Sequence, residues 1–338
     1  MGCLFGSFLS EKHDVILLEQ NAERVEALNK NGVTVEEADG TRRHYPVHAL
    51  MSGTPVPGVE LVIVFVKATV TEAALAANRT LLEGGADVLT LQNGLGNDEV
   101  IEKFVAKDHI FVGTTRHNCV VTGSDSIFHS GNGVTKIGSL CGNDKRAKEI
   151  VAAFAKCRDE MVFCENARRL LWEKLFINMT LNSLSSVLEC RLYEIYANPH
   201  TWMLAGRIVD EAIAVAAADG EIFEKKLVLD SVQKLCEDAK NGFASMVQDR
   251  RTGRKTEIDF INGAVVKGGR KYGIPTPVNE TVVELCMRSR KATACGISFL
   301  NKMEKIPLVF RRYLFEKRNG KAGKIKNFIC INTISAVA

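Results

Sequence analysis

Leu61-Val62-Ile63-Val64-Phe65-Val66 is a continuous apolar run, not an alternating one. That is the pattern of a strand buried on both faces, as in a parallel sheet covered by helices. The run ends at Lys67, and a Lys at the carboxyl end of such a strand lies where α/β folds bind ligands. The blander alternative is an ordinary Lys at a strand end. Downstream, the pattern predicts a helix over Val70–Leu82. A second buried strand follows, Asp87-Val88-Leu89-Thr90-Leu91, closed by Gln92-Asn93-Gly94-Leu95-Gly96. An Asn-Gly pair can be a simple turn. Repeated units of strand followed by polar residue favour a ligand-binding edge.

Upstream, Met1 to Ser10 reads as a helix, followed by the short strand Val15-Ile16-Leu17-Leu18 ending at Glu19. This looks like the second half of a Rossmann β-α-β unit, in which an acidic residue at the second strand's end commonly holds the ribose hydroxyls of NAD. A full G-x-G-x-x-G fingerprint needs a strand and two more glycines ahead of Gly2. Only the last glycine has a counterpart here. If the sequence is the whole chain, the central first strand is missing, and weak cofactor binding and a compromised first domain are expected. The alternative is an ordinary N-terminal helix and strand.

Further strands are expected at Ile110–Thr115, Ser126–His129, Thr135–Gly138 and Met161–Phe163, with a helix over Arg146–Lys156. From about Ala167 the pattern is helical only. The chain therefore divides into residues 1–166, 167–291 and a basic tail at 292–338. The expected fold is an α/β Rossmann-type N-terminal domain with a truncated first strand, followed by an all-α C-terminal domain.

The second part opens with Trp172-Glu173-Lys174-Leu175-Phe176-Ile177-Asn178-Met179-Thr180-Leu181-Asn182. Lys174, Asn178 and Asn182 recur every four residues. At about 100° per residue they drift only about 40° per step, so they share one face. An ammonium among apolar neighbours can be tuned to donate a proton near neutral pH. Two amides one turn apart can hold a carboxylate or hydroxyl. By spacing alone, a solvated Lys/Asn stripe on a surface helix remains open. Later helices are expected at about Pro199–Asp219, Phe223–Asn241 and Val278–Arg290. Thr256 is expected to cap a helix running through Gly263.

Hydrophobic content of 46% and charged content of 25% are those of a soluble globular protein. No apolar run reaches the roughly 18 residues of a membrane span. Ten scattered cysteines with no C-x-x-C pair argue against a disulfide framework or a zinc site, and no metal is expected. The net charge is +4, but residues 288–326 hold twelve Lys/Arg against two acids, leaving about −6 elsewhere. Basicity thus belongs to the tail, and neither a nucleic-acid nor a membrane partner is expected. The tail, ending in the apolar run Phe328–Ile334, reads as an appended segment outside the main body of the fold.

Four motifs occur together: Trp172-Glu173-Lys174-Leu175 with Asn178 and Asn182; Thr256-Glu257-Ile258-Asp259-Phe260-Ile261-Asn262-Gly263 leading to Gly273-Ile274-Pro275-Thr276-Pro277-Val278-Asn279; Gln92-Asn93-Gly94; and Ser245-Met246 with Gln248-Asp249. In these the chain resembles the ketopantoate reductase (2-dehydropantoate 2-reductase) family, over about Gly2 to Arg290. The resemblance implies an interdomain active site and hydride transfer from NADPH or NADH to the keto carbon of a branched 2-keto acid, in pantothenate and coenzyme A synthesis. It implies Lys174 as general acid and Glu257 as its partner near the cofactor ribose. Asn93, Asn178, Asn182 and Ser245 are then substrate-binding. Gly2, Glu19, Gln20, Lys67, Asn93, Cys119 and Glu257 are cofactor-binding. Where relatives often carry an Arg for a 2′-phosphate, Gln20 stands beside Glu19, which leans toward NADH, with Arg24 as one substitute. Cys190-Arg191-Leu192-Tyr193 lacks an Asn that some members use on substrate. That keeps open a D-2-hydroxyacid dehydrogenase of the same superfamily, and the truncated fingerprint keeps open a catalytically impaired remnant. The expected partner is a small 2-keto acid and the expected location cytoplasmic, with a homodimer left open.

Overall fold

The computed structural model describes residues 1–155, 157, 161–287 and 334–337. The basic stretch from Arg288 to Lys326 and the apolar residues up to Thr333 lie outside the described residues. Helix α1 (Gly2–Leu9) leads to β1 (Val15–Glu19), α2 (Ala22–Asn31), β2 (Val33–Glu37), β3 (Arg42–Tyr45) and β4 (His48–Met51). Then come β5 (Leu61–Val64), α3 (Thr71–Ala77), β6 (Asp87–Thr90), α4 (Asn97–Ile101) and β7 (Ile110–Thr115). Strands β8 (Asn118–Val121), β9 (Ser126–Gly131) and β10 (Thr135–Ser139) precede α5 (Asp144–Phe154) and β11 (Met161–Phe163).

The main sheet has the order β11-β10-β7-β6-β5-β12-β1-β4, where β12 is Ile334–Val337. A smaller sheet runs β3-β2-β9-β8. Every residue of β5 and β6 is buried. Strand β5 is apolar throughout, as a strand covered on both faces requires, while Asp87 at the start of β6 is paired with Arg146 and His109. Phe5, Leu17, Ile63, Leu89, Phe111 and Phe154 join helices and sheet in one core.

Two expectations are corrected here. The C-terminal end of the tail is not outside the body: β12 pairs antiparallel with both β1 and β5. It fills the central position expected to stand vacant, because two flanking strands offer unpaired backbone groups that a third extended segment satisfies. The helix expected over Val70–Leu82 is broken into α3 and two flanking 3-10 turns. Asn78 interrupts it. Its side chain donates to Ala74 O and Ser52 Oγ, each at 2.8 Å, and accepts from Gly53 N at 2.8 Å. A short amide that bonds locally competes with the helical backbone.

The remaining described chain is helical: α6 (Ala167–Leu188), α7 (Leu192–Ala197), α8 (Pro199–Ala218), α9 (Lys225–Asp238), α10 (Ser245–Arg251), α11 (Asn262–Tyr272) and α12 (277–287). Helix α6 is the axis of this half. Asn166 caps it by accepting from Arg169 N at 2.8 Å. Polar residues survive in its buried length because Thr180, Ser183 and Ser185 donate back to the carbonyls of Phe176, Met179 and Leu181. Its apolar residues Trp172, Phe176 and Met179 pack with Ile208, Val232 and Val265.

The motif from Thr256 to Asn279 is largely scaffold. Asn262 donates to Met179 O on α6 at 3.2 Å and to Asn279 Oδ1 at 3.0 Å. Asn279 in turn donates to Ile208 O at 3.2 Å and Glu211 Oε2 at 2.8 Å. Glu211 also accepts from the backbone N–H groups of Val278 and Asn279, at 2.8 and 2.9 Å. The helix expected from Thr256 starts instead at Asn262, after a 3-10 turn over Ile258–Phe260. The segment bonds outward, to the sheet half: Leu95 N donates to Phe260 O at 2.9 Å. Gly94 makes that approach possible. Its φ is +92°, and a Cβ there would lie 2.1 Å from Phe260 O.

Gly94→Ala therefore forces this junction apart. Positive-φ strain alone costs about 1–3 kcal/mol, and thermal unfolding of the variant is expected at clearly lower temperature than wild type. Asn279→Ala orphans several buried partners and is expected to cost about 2–3 kcal/mol in chemical denaturation.

Candidate active site

The ends of the strands put the first half of the site on one edge. Strands β5, β6 and β7 are mutually parallel, and β12, antiparallel to both β1 and β5, leaves those two parallel. Glu19, Lys67, Asn93 and Thr115 thus lie at or just beyond the carboxyl ends of four strands that point the same way. That edge is where open α/β sheets gather ligands.

The helical half faces it through Lys174 and Glu257. Glu257 is buried, and its two oxygens reach across to the sheet: Oε1 accepts from Ala68 N at 3.2 Å, and Oε2 lies 3.5 Å from Lys67 Nζ. Lys174 Nζ donates to Thr115 O at 3.4 Å. Burial lowers the Lys174 ammonium from its ordinary value to about 8, and the negative charge of Glu257 opposes part of that fall. The result is an acid poised near physiological pH at the junction of the two halves.

Asn178 lies one turn along α6 from Lys174. It is buried, and its Nδ2 has no hydrogen-bond partner. A buried amide donor left unpaired is costly, which suits a group meant to receive a ligand oxygen. Asn182, a further turn on, is half-buried. Ser245 is exposed at the first turn of α10, a helix packed on α6. Asn93 is half-buried in the loop that Gly94 and Leu95 dock against Phe260, and its carbonyl accepts from Asn97 Nδ2 at 3.2 Å.

Glu19, at one end of that edge, and the remaining expected residues cluster around α1 and β1. Glu19 is buried at the end of β1. It accepts from Gln20 N at 2.9 Å and pairs with Arg24 Nε at 3.1 Å. Arg24 also reaches Cys3 Sγ at 3.2 Å. The Gln20 side chain is exposed. Gly2 is buried in the first turn of α1, and Cys119 Sγ lies 3.5 Å from Met1 Sδ beside it.

Two groups of the junction were given no site role from sequence, although Asp249 lies in one of the four motifs. Asp249 is buried on α10 and lies 2.7 Å from Lys67 Nζ. Its place four residues after Ser245 is the signal that could have found it, since such residues share a helix face. The Thr115 carbonyl has no such signal, because a backbone acceptor leaves no trace in residue type.

The chain is similar to known proteins over most of its length. Residues 1–142 match the family described as ketopantoate reductase PanE/ApbA, and residues 166–289 match its C-terminal part. The 2-dehydropantoate 2-reductase of Halobacterium salinarum is 32% identical over 287 residues, covering 84% of this chain and 94% of that protein. Among solved structures, D-mandelate dehydrogenase with NADH and anilino(oxo)acetate superposes with a TM-score of 0.80 at 27% identity, over 86% of this chain and 95% of that one. A PanE/ApbA family ketopantoate reductase from Ralstonia eutropha gives 0.77 at 26% identity, over 85% and 94%. By the motifs it shares, its two matched regions and its likeness along most of its length, the chain belongs to the ketopantoate reductase family of nicotinamide-dependent oxidoreductases.

Proposed function

We propose that this protein reduces 2-dehydropantoate to pantoate with NADPH or NADH, the step that supplies pantoate for pantothenate and coenzyme A. The observation that carries this reading is Lys174: a half-buried residue whose ammonium pKa is lowered to about 8 by desolvation and supported by the charge of Glu257, at the seam between a ligand-binding sheet edge and a helical wall. A reduced nicotinamide, when bound, supplies the hydride. The residues present fit such a cofactor. The Glu19 carboxylate at a strand end suits a free ribose diol, and Arg24 beside it is the cation that can turn to a 2′-phosphate. Gly2, Gln20, Lys67 and Cys119 complete the groove in this reading.

Lys174 donates its proton to the keto oxygen as that oxygen gains negative charge, and solvent restores the proton afterwards. Its ammonium also stabilises the developing alkoxide before transfer. The charge of Glu257 helps keep the ammonium protonated, and the Thr115 carbonyl accepts from it. The unpaired Nδ2 of Asn178, with Asn182 and Ser245, receives the substrate carboxylate and hydroxyl. Asn93 would line the cleft where nicotinamide and substrate meet. Residues 1–166 act as the cofactor domain and 167–291 as the substrate domain. No helix among the described residues is long and apolar enough to cross a membrane. A cytoplasmic location belongs to the same reading, with a homodimer left open.

A second reading keeps the chemistry and changes the acid. The likeness to D-mandelate dehydrogenase and the Glu19 carboxylate favour an NADH-dependent D-2-hydroxyacid dehydrogenase. Steady-state turnover of 2-dehydropantoate against other branched 2-keto acids, with each cofactor, separates the two. A preference of about tenfold or more for another acid moves the assignment to the second reading.

Lys174→Ala is expected to lose turnover by about 100-fold or more, the scale of general acid catalysis, while circular dichroism stays native. Wild-type kcat/KM for reduction is expected to fall as pH rises through about 8, because the donor is then deprotonated. Glu257→Gln removes the charge that raises the pKa of Lys174, so the same fall is expected at lower pH.

A further inference from the structure

Glu257 shares Lys67 with a second carboxylate. The Lys67 ammonium lies 2.7 Å from Asp249 Oδ2 and 3.5 Å from Glu257 Oε2. Both carboxylates are buried, whereas Lys67 is partly exposed. Asp249 is fixed by the last turn of α10. Its carbonyl accepts from Arg254 N at 2.7 Å, and its Oδ1 lies 3.3 Å from Arg254 Nε. Glu257 is fixed by Ala68 N, the residue after Lys67. The ammonium could swing to either carboxylate, and it stands on Asp249.

That choice matters for Lys174. Burial and Glu257 are the two influences resolved on it. Other charges on the packed elements have partners of their own: Arg251 pairs with Glu189 at 3.0 Å, Lys255 with Asp259 at 4.0 Å, and Glu173 with Arg169 at 3.4 Å. Arg116 and Lys136, carried by the sheet beside α6, are exposed. Arg250, next to Asp249, is half-buried. A cation seated fully on Glu257 would cancel the one charge that supports the Lys174 ammonium, since attraction between charges in a partly buried site falls with distance.

We propose that Asp249 is a positioning residue that holds Lys67 off Glu257 and thereby leaves the Glu257 charge directed at Lys174. The inference rests on the reading of Lys174 as proton donor and assigns the Lys67–Asp249 contact a purpose in it. Without the Asp249 charge, Lys67 moves onto Glu257. Lys174 then loses its counter-charge and gives up its proton at lower pH.

The test is the pH dependence of kcat/KM for reduction of 2-dehydropantoate by the full chain, measured with NADH and with NADPH. Asp249→Asn is expected to move the alkaline limb to lower pH by about half a unit or more. Lys67→Met removes the competing cation and is expected to move the limb to higher pH. In the Lys67→Met background, Asp249→Asn is expected to leave the limb in place, because nothing remains to fall onto Glu257. An unmoved or raised limb in Asp249→Asn overturns the proposal. So does an equal shift in the Lys67→Met background, which would mean that Asp249 acts directly. If Asp249→Asn lacks native circular dichroism, Lys67→Met alone decides: a limb that stays or falls overturns the proposal. Lys174→Ala separates the two levels. Retained turnover with an intact limb removes the proton-donor reading itself. Lost turnover, with an unmoved limb in Asp249→Asn, removes only the role of Asp249.

Discussion

The Glu257 carboxylate spans the seam on which the site depends. One oxygen takes the Ala68 N–H, the other faces Lys67, and its charge is felt by Lys174 on α6. A buried carboxylate is expensive unless hydrogen-bonded and neutralised. The sheet edge supplies both requirements here, so satisfying Glu257 draws the helical half onto that edge. The docking of Leu95 N on Phe260 O, three residues beyond Glu257, fixes the same seam a second time with backbone atoms.

Behind the seam, each half is held by its own means. The sheet half has a core with aromatic layers and strands buried on both faces. In the helical half, the carboxylates of Glu211 and Asp219 act as hubs. Trp172 Nε1 and Tyr272 OH donate to Asp219 at 2.9 and 2.8 Å, joining α6, α11 and the end of α8. Such bonds to charged acceptors are stronger than neutral ones. They help set the rotation of α6 just before Lys174, so the face that meets the cleft is decided partly by contacts on its far side.

Much of the fold was legible in the sequence because burial on both faces leaves an unmistakable apolar run, as in Leu61–Val64, and because the switch to helix near Ala167 is a change of period. What failed to show were positions where a side chain overrides the local pattern. Asn78 breaks a helix that propensity favours. The segment from Thr256 bonds outward, and the helix expected there begins only at Asn262. Ile334–Val337 pairs with strands more than 270 residues away in sequence, and no local signal announces a partner at that distance.

The sequence by itself determined the residue types of the site: a Lys with two amides at helical spacing, a Glu in a separate motif and polar residues after buried strands. Periodicity fixes which side chains share a face, because it is a property of local geometry. Only the tertiary structure decided which of them meet. It put Glu257 on Ala68 and brought Asp249 to Lys67. It made Lys174 an acid near pH 8, since burial and charge depend on neighbours far away in the chain.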